Sequence, residues 1–128
     1  MKYIIAWACL FGASAVGLGA YGSHGLTQYA SPELVARFNL GVEYQFYHAF
    51  ALLACGLAWT KAQRALLGAA VALFSFGIFA FSGTLYHYAI TGVKAFGPVT
   101  PIGGSAMILA WLLFGLAILI GDRQRANG

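Results

Sequence analysis

Four stretches of the chain are nearly free of charge, and short polar segments separate them. The apolar runs cover about residues 3–21, 40–59, 65–90 and 102–120. Each matches the roughly 20 residues a helix needs to cross a bilayer. The first run could also serve as a cleavable signal, flanked by Lys2 and followed by Gly19, Ala20 and Gly22. It is longer than a usual signal core, so the pattern predicts a first span. Before the second run, Ser31-Pro32-Glu33 reads as a helix start, with Ser as N-cap, Pro in the first turn and Glu near the positive dipole end. The helix that follows is expected to be amphipathic in its first turns, lying in the interface, and to enter the membrane near Leu40. Residues 61–64 predict a tight basic turn. Thr100-Pro101 repeats the cap-then-proline signal ahead of the fourth run. The expected architecture is an all-α integral membrane four-helix bundle in one domain over residues 1–128, its second helix partly amphipathic.

Composition supports this and narrows it. Hydrophobic residues make up 61% of the chain and charged residues only 8%, against about 25% charged in soluble domains. So few charges exclude both an ordinary soluble domain and a disordered chain. The net charge of +4 comes without any basic run, which excludes a nucleic-acid footprint. Lys2, Lys61, Arg64, Arg123 and Arg125 flank one side of the expected bundle, while Arg37 and Lys94 flank the other. The positive-inside rule then predicts an N-in/C-in protein of the bacterial inner membrane. Cys9 and Cys55 sit in apolar runs with no metal or redox spacing and read as packing residues.

Small residues mark places where helices can approach. Gly12, Gly17 and Gly19 form a stripe with Ala13 and Ala15 in the first run, and Gly83, Gly103 and Gly104 lie in the third and fourth. Small residues four apart let helix backbones come close in lipid.

Four motifs, in order, carry a resemblance. They are Gly19-Ala20-Tyr21-Gly22-Ser23-His24-Gly25, Gly41-Val42-Glu43-Tyr44-Gln45-Phe46-Tyr47-His48, Phe81-Ser82-Gly83-Thr84-Leu85-Tyr86, and Val99-Thr100-Pro101-Ile102-Gly103-Gly104 followed by Trp111. Across essentially the whole chain, the sequence resembles the small four-span inner-membrane family of unknown function that includes the YgdD-like bacterial proteins and the eukaryotic transmembrane 256 proteins. The resemblance implies four membrane helices and no particular activity. Ser23 stands where that family usually has Ala, and His87 where it usually has an apolar residue.

Ionisable groups inside a membrane are expensive, so each needs a reason. The densest cluster is Glu43, Tyr44, Gln45 and His48 in the second run, with Ser82 and Tyr86 in the third and His24 in the first connection as candidate partners. Two readings stay open. One is a structural clasp, in which polar side chains bond across helices. The other is a proton-handling or ligand site, since His titrates near neutral pH and a desolvated Glu is raised. In both, Glu43 is expected to point into the bundle. His24, His48 and His87 form a further alternative as metal or haem ligands, although no metal-binding spacing is present. Two helix starts with Arg37, Lys94 and His24 suggest an anion site, with a simple capped helix start as the plainer reading.

No GxSxG, P-loop or HExxH occurs, and the carboxylates are scattered. The sequence therefore predicts a non-enzymatic accessory or interaction protein without cofactor, whose partners are the lipid bilayer and either a second copy or another membrane protein. A small-solute or ion transporter formed as a homo-oligomer is the alternative. Against it stands an almost wholly apolar half containing Cys9, Leu10, Leu53, Leu57, Leu73, Phe74, Leu113 and Leu116.

Overall fold

The computed structural model describes all 128 residues, and the chain is helical throughout, without strands. Helix α1 spans Lys2–Ser23, and a 3-10 turn at Leu26–Gln28 follows it. Helix α2 spans Pro32–Leu57. Helix α3 (Arg64–Gly77), a π-helical turn (Ile78–Gly83) and α4 (Thr84–Thr91) form one continuous rod of 28 residues, Arg64–Thr91. Helix α5 spans Val99–Asn127. The end of the bundle where α2 and α5 begin is called the upper end here, and the end with Met1 and the 58–63 turn the lower.

Three of these rods are long and apolar enough to cross a membrane: α1 with its 3-10 turn, the α3–α4 rod, and α5. Helix α2 is long enough, at 26 residues or about 39 Å. It is less apolar because Glu33, Arg37, Asn39, Glu43, Gln45 and His48 all lie within it.

The starts and stops follow local chemistry. Ser31 Oγ accepts from the Leu34 amide at 3.3 Å, with Pro32 in the first turn and Glu33 beside it. Gln63 caps α3 by accepting from the Leu66 amide at 2.7 Å. Gly92 ends α4 in the left-handed region, φ +72°, which a glycine adopts without strain. At the start of α5 the expectation fails. The helix begins at Val99, so Thr100 lies inside the first turn, and its hydroxyl bonds Thr84 Oγ1 at 2.7 Å instead of capping. The helix also continues to Asn127, well past residue 120.

The first turns of α2 are exposed on one side, at Pro32, Glu33, Ala36 and Arg37, and packed on the other. The helix is continuous, and its Phe38 and Val42 pack with Leu26 and Ala89 to close the upper end. The main core occupies the middle and lower bundle, where Ala8, Cys55, Leu67, Ala70, Phe74 and Ala117 are buried together. Both cysteines are free thiols. At the lower end, the Gln63 amide donates to the Ala117 carbonyl at 2.8 Å, and Arg125 donates to the Thr60 carbonyl at 2.6 Å. These bonds hold the turn against α5.

The glycines that bring helices together are mostly not the predicted ones. A Cβ on Gly12, Gly17 or Gly83 would meet nothing within 4 Å, and on Gly19 or Gly104 only ordinary contacts at 3.5 and 3.7 Å. Gly103 is the exception: a Cβ there would lie 2.5 Å from the Phe81 amide nitrogen. Opposite it, a Cβ on Gly77 would lie 2.6 Å from Met107 Cγ and 3.1 Å from the Gly103 carbonyl oxygen. On α1 the packed face is Ala8, Phe11, Ala15 and Gly22, while Ala13 and Gly17 are exposed.

Candidate functional site: a polar clasp across the helices

Gln45 is almost fully buried on α2, and its side-chain amide joins three rods. Nε2 donates to the Phe11 carbonyl at 2.9 Å and to Ser14 Oγ at 2.8 Å, both on α1. Oε1 accepts from the Tyr86 hydroxyl on α4 at 2.7 Å. A backbone carbonyl can only accept, so it must face the NH2 group, which fixes the orientation of the amide. Ser14 Oγ passes its own proton to the Phe11 carbonyl at 3.1 Å. Every polar atom of this hub therefore has a partner.

One turn toward the upper end, the fully buried Ser82 donates to the Gly41 carbonyl at 2.6 Å. Ser82 reaches α2 because it sits in the π-helical turn. That turn disturbs the regular ladder, and Thr84 Oγ1 compensates by bonding the Ala80 and Phe81 carbonyls at 2.7 and 3.0 Å.

His48 forms a second polar point. Its Nε2 accepts from Trp111 Nε1 on α5 at 3.2 Å, and its Nδ1 lies 2.6 Å from the Tyr44 carbonyl. Indole N–H only donates and a carbonyl only accepts, so this geometry requires the Nδ1–H tautomer. The His48 and Trp111 rings both lie against Phe74. They form the floor of an open groove of about 640 Å³ between α2 and α5, with Tyr44, Tyr47, Phe81 and Met107 among its walls.

Three expectations are corrected here. Glu43 does not point inward: it is exposed on α2, and no side-chain hydrogen bond of the bundle reaches it. Gln45 faces the core, and a residue two positions away lies about 160° around a helix. His24 is exposed at the end of α1 and stands outside the cluster. The three histidines are not brought together. His48 has both ring nitrogens engaged, while His87 stacks edge-on with Phe96 and leaves its Nδ1 unpartnered. No group of three His, Cys, Asp or Glu side chains forms a metal-ligating cluster.

Some functional positions escaped the sequence pattern. Ser14 had no distinguishing signal among the small residues of α1. Trp7 Nε1 donates to Ser75 Oγ at 3.0 Å, tying α1 to α3, and either residue alone reads as ordinary. The Tyr21 hydroxyl on α1 and the Tyr29 hydroxyl in the connection after it share a hydrogen bond, which holds Tyr29 above the usual tyrosine pKa range.

A helical bundle with three membrane-length apolar rods, joined by buried polar hydrogen bonds between helices, defines a small membrane protein. Residues 18–104 match the family described as "Protein of unknown function (DUF423)", and the chain belongs to that family. This agrees with the resemblance carried by its four motifs. Its relatives bear the name UPF0382 membrane protein. One from Staphylococcus epidermidis is 40% identical, over 93% of this chain and 97% of its own. YwdK of Bacillus subtilis is 34% identical, over 91% of this chain and 96% of its own. A Haemophilus influenzae relative is 32% identical, over 87% and 88%. No solved structure matches.

Proposed function

We propose that this protein is a non-enzymatic accessory component of the bacterial inner membrane. In this reading it spans the bilayer four times with both termini in the cytoplasm, and it self-associates through the exposed face of α2. The observation that carries the reading is Glu43, presented outward from the middle of a membrane bundle without a partner. Facing lipid as an anion it would cost about 2.5–3.5 kcal/mol.

The residues around it support a helix–helix contact. Ala36, Leu40, Glu43, Tyr47, Phe50, Ala54 and Leu57 follow alternating steps of four and three, and all are exposed or half-exposed. That is the seam spacing by which helices pair, and a single polar residue in such a seam sets register. A second copy related by a two-fold axis places each Glu43 near its equivalent, where two carboxyl groups can share one proton. The Tyr47 hydroxyls, one turn away, have no hydrogen bond within the chain and are free to join them.

Two further points favour a structural role. The polar groups at Gln45, Ser82 and His48 are occupied with one another or with backbone. Below them the bundle is closed by the apolar core, which opposes a solute path within one copy.

Native mass spectrometry of the protein extracted with lipid tests this. Dimers or higher oligomers are expected for the wild type and for Glu43→Gln, which keeps the hydrogen bonds. Glu43→Lys should be monomeric, because two fixed positive charges would face each other. A wild type that stays monomeric at every protein-to-lipid ratio would sink the proposal.

A further inference from the structure

The upper end of the bundle holds a small pocket that the clasp does not use. It measures about 140 Å³, and its lining includes Arg37 from α2, Thr84 and Tyr88 from α4, Lys94 and Gly97 from the connection, and Thr100 from α5. Two of the seven cationic side chains of the chain thus converge from positions 57 residues apart, and no acid lines the pocket. Glu33 lies one turn before Arg37 on the same helix but makes no ion pair with it. The Lys94 ammonium sits 5.5 Å over the Tyr88 ring, which keeps the charge at the pocket rim.

The remaining polar groups fit an anion. The first turn of α5 carries no acidic residue, so its positive end adds to the field. The Gly97 amide makes no backbone hydrogen bond and remains available as a donor. Thr84 and Thr100 share a hydrogen bond, and each also reaches backbone carbonyls, so both hydroxyls are engaged within the chain. The geometry points to a binding site for a phosphate-type anion, in which Arg37 offers a planar fork and Lys94 a point charge. At the level where α2 and α5 begin, the phosphate can come from an anionic lipid headgroup or from solution. The inference uses none of the Glu43 face and stands apart from self-association.

The test uses the full-length protein in nanodiscs of phosphatidylcholine, with or without phosphatidylglycerol, and in neutral detergent with inorganic phosphate or chloride at matched ionic strength. Native mass spectrometry reads retained phosphatidylglycerol, and thermal unfolding reads stabilisation by phosphate. Removing both charges with Arg37→Gln and Lys94→Gln should weaken binding about 25-fold, taking about fivefold per charge near a membrane surface. The charge-conserving pair Arg37→Lys and Lys94→Arg should retain binding, as should Lys61→Gln with Arg64→Gln at the lower end. Retention of phosphatidylglycerol without a response to inorganic phosphate assigns the headgroup. A response to phosphate in lipid-free detergent with the same dependence on Arg37 and Lys94 assigns the soluble anion. If the Arg37→Gln, Lys94→Gln protein matches the wild type in both measurements, the site does not exist.

Discussion

Gln45 spends its amide on α1 and α4 at once, so its contribution differs from that of a pairwise contact. Interhelical hydrogen bonds in membranes average about 0.6 kcal/mol and reach about 1.7. Gln45→Leu breaks three and strands the Tyr86 hydroxyl. It should destabilise the bundle by about 1–3 kcal/mol in detergent unfolding, whereas Tyr86→Phe should cost about half as much. A double-mutant cycle should show positive coupling between the two, and additivity would disprove the bond. At His48 the expected outcome is spectroscopic. Nitrogen-15 NMR should report the Nδ1–H tautomer in the wild type, and Trp111→Phe should keep that tautomer, held by the Tyr44 carbonyl, while shifting the Nε2 resonance that loses its donor. Part of this was legible in the sequence. Polar residues in an apolar run need partners, which singles out Gln45, His48, Ser82 and Tyr86, but also Glu43 and His24, which the fold leaves exposed. The same helical geometry also contained the correction. Glu43 and Gln45 are two apart, so when one faces the core the other must face away. Which one turned inward depended on Ser14 and Tyr86, and one helix considered alone does not reveal them.

Among the elements, the π-helical turn and the α5 face beside it form a unit. Gly103 approaches the backbone at Ala80 and Phe81, the segment where the helix widens, and Thr84 satisfies the carbonyls there. Gly103→Ala should therefore cost about 1–3 kcal/mol through overpacking. Gly17→Leu, which meets open space, should melt like the wild type in the same assay. In the sequence Ser82, Gly83 and Thr84 stand as polar or small residues within an apolar run, and nothing in that pattern shows that the helix widens there. The sequence also could not choose the packed stripe of α1, because small residues lie on every side of that helix. Only the partner surface on α2 selects Ala8, Phe11, Ala15 and Gly22. The connection after α1 should respond to alkali. Tyr29 has its pKa raised in the folded chain through Tyr21, so the stabilisation is complete below the ordinary value of 10.0 and is lost as pH rises through the shifted one. Tyr29→Phe should remove that alkaline sensitivity of the loop, as followed by proteolysis of residues 24–30.

For the molecule as a whole, topology is the first quantity to measure. On a cysteine-free background, a reporter cysteine at position 94 should label from outside the cell and one at position 61 only after permeabilisation. The reverse pattern would invert the proposed orientation. Helix α2 adds a consequence for how the bundle is made. It is the least apolar of the four rods, yet it carries the clasp that joins its neighbours. During synthesis, a segment with so many polar groups partitions poorly into lipid by itself. Its Gln45 Nε2 finds its acceptors at Phe11 and Ser14 of α1, the one partner helix made before α2, while the Tyr86 donor on α4 comes later in the chain. Insertion should therefore proceed as a hairpin, with α1 serving as the template for α2. A glycosylation reporter placed after residue 60 should show α2 integrated efficiently behind its own α1 and poorly behind an unrelated leader helix of equal hydropathy.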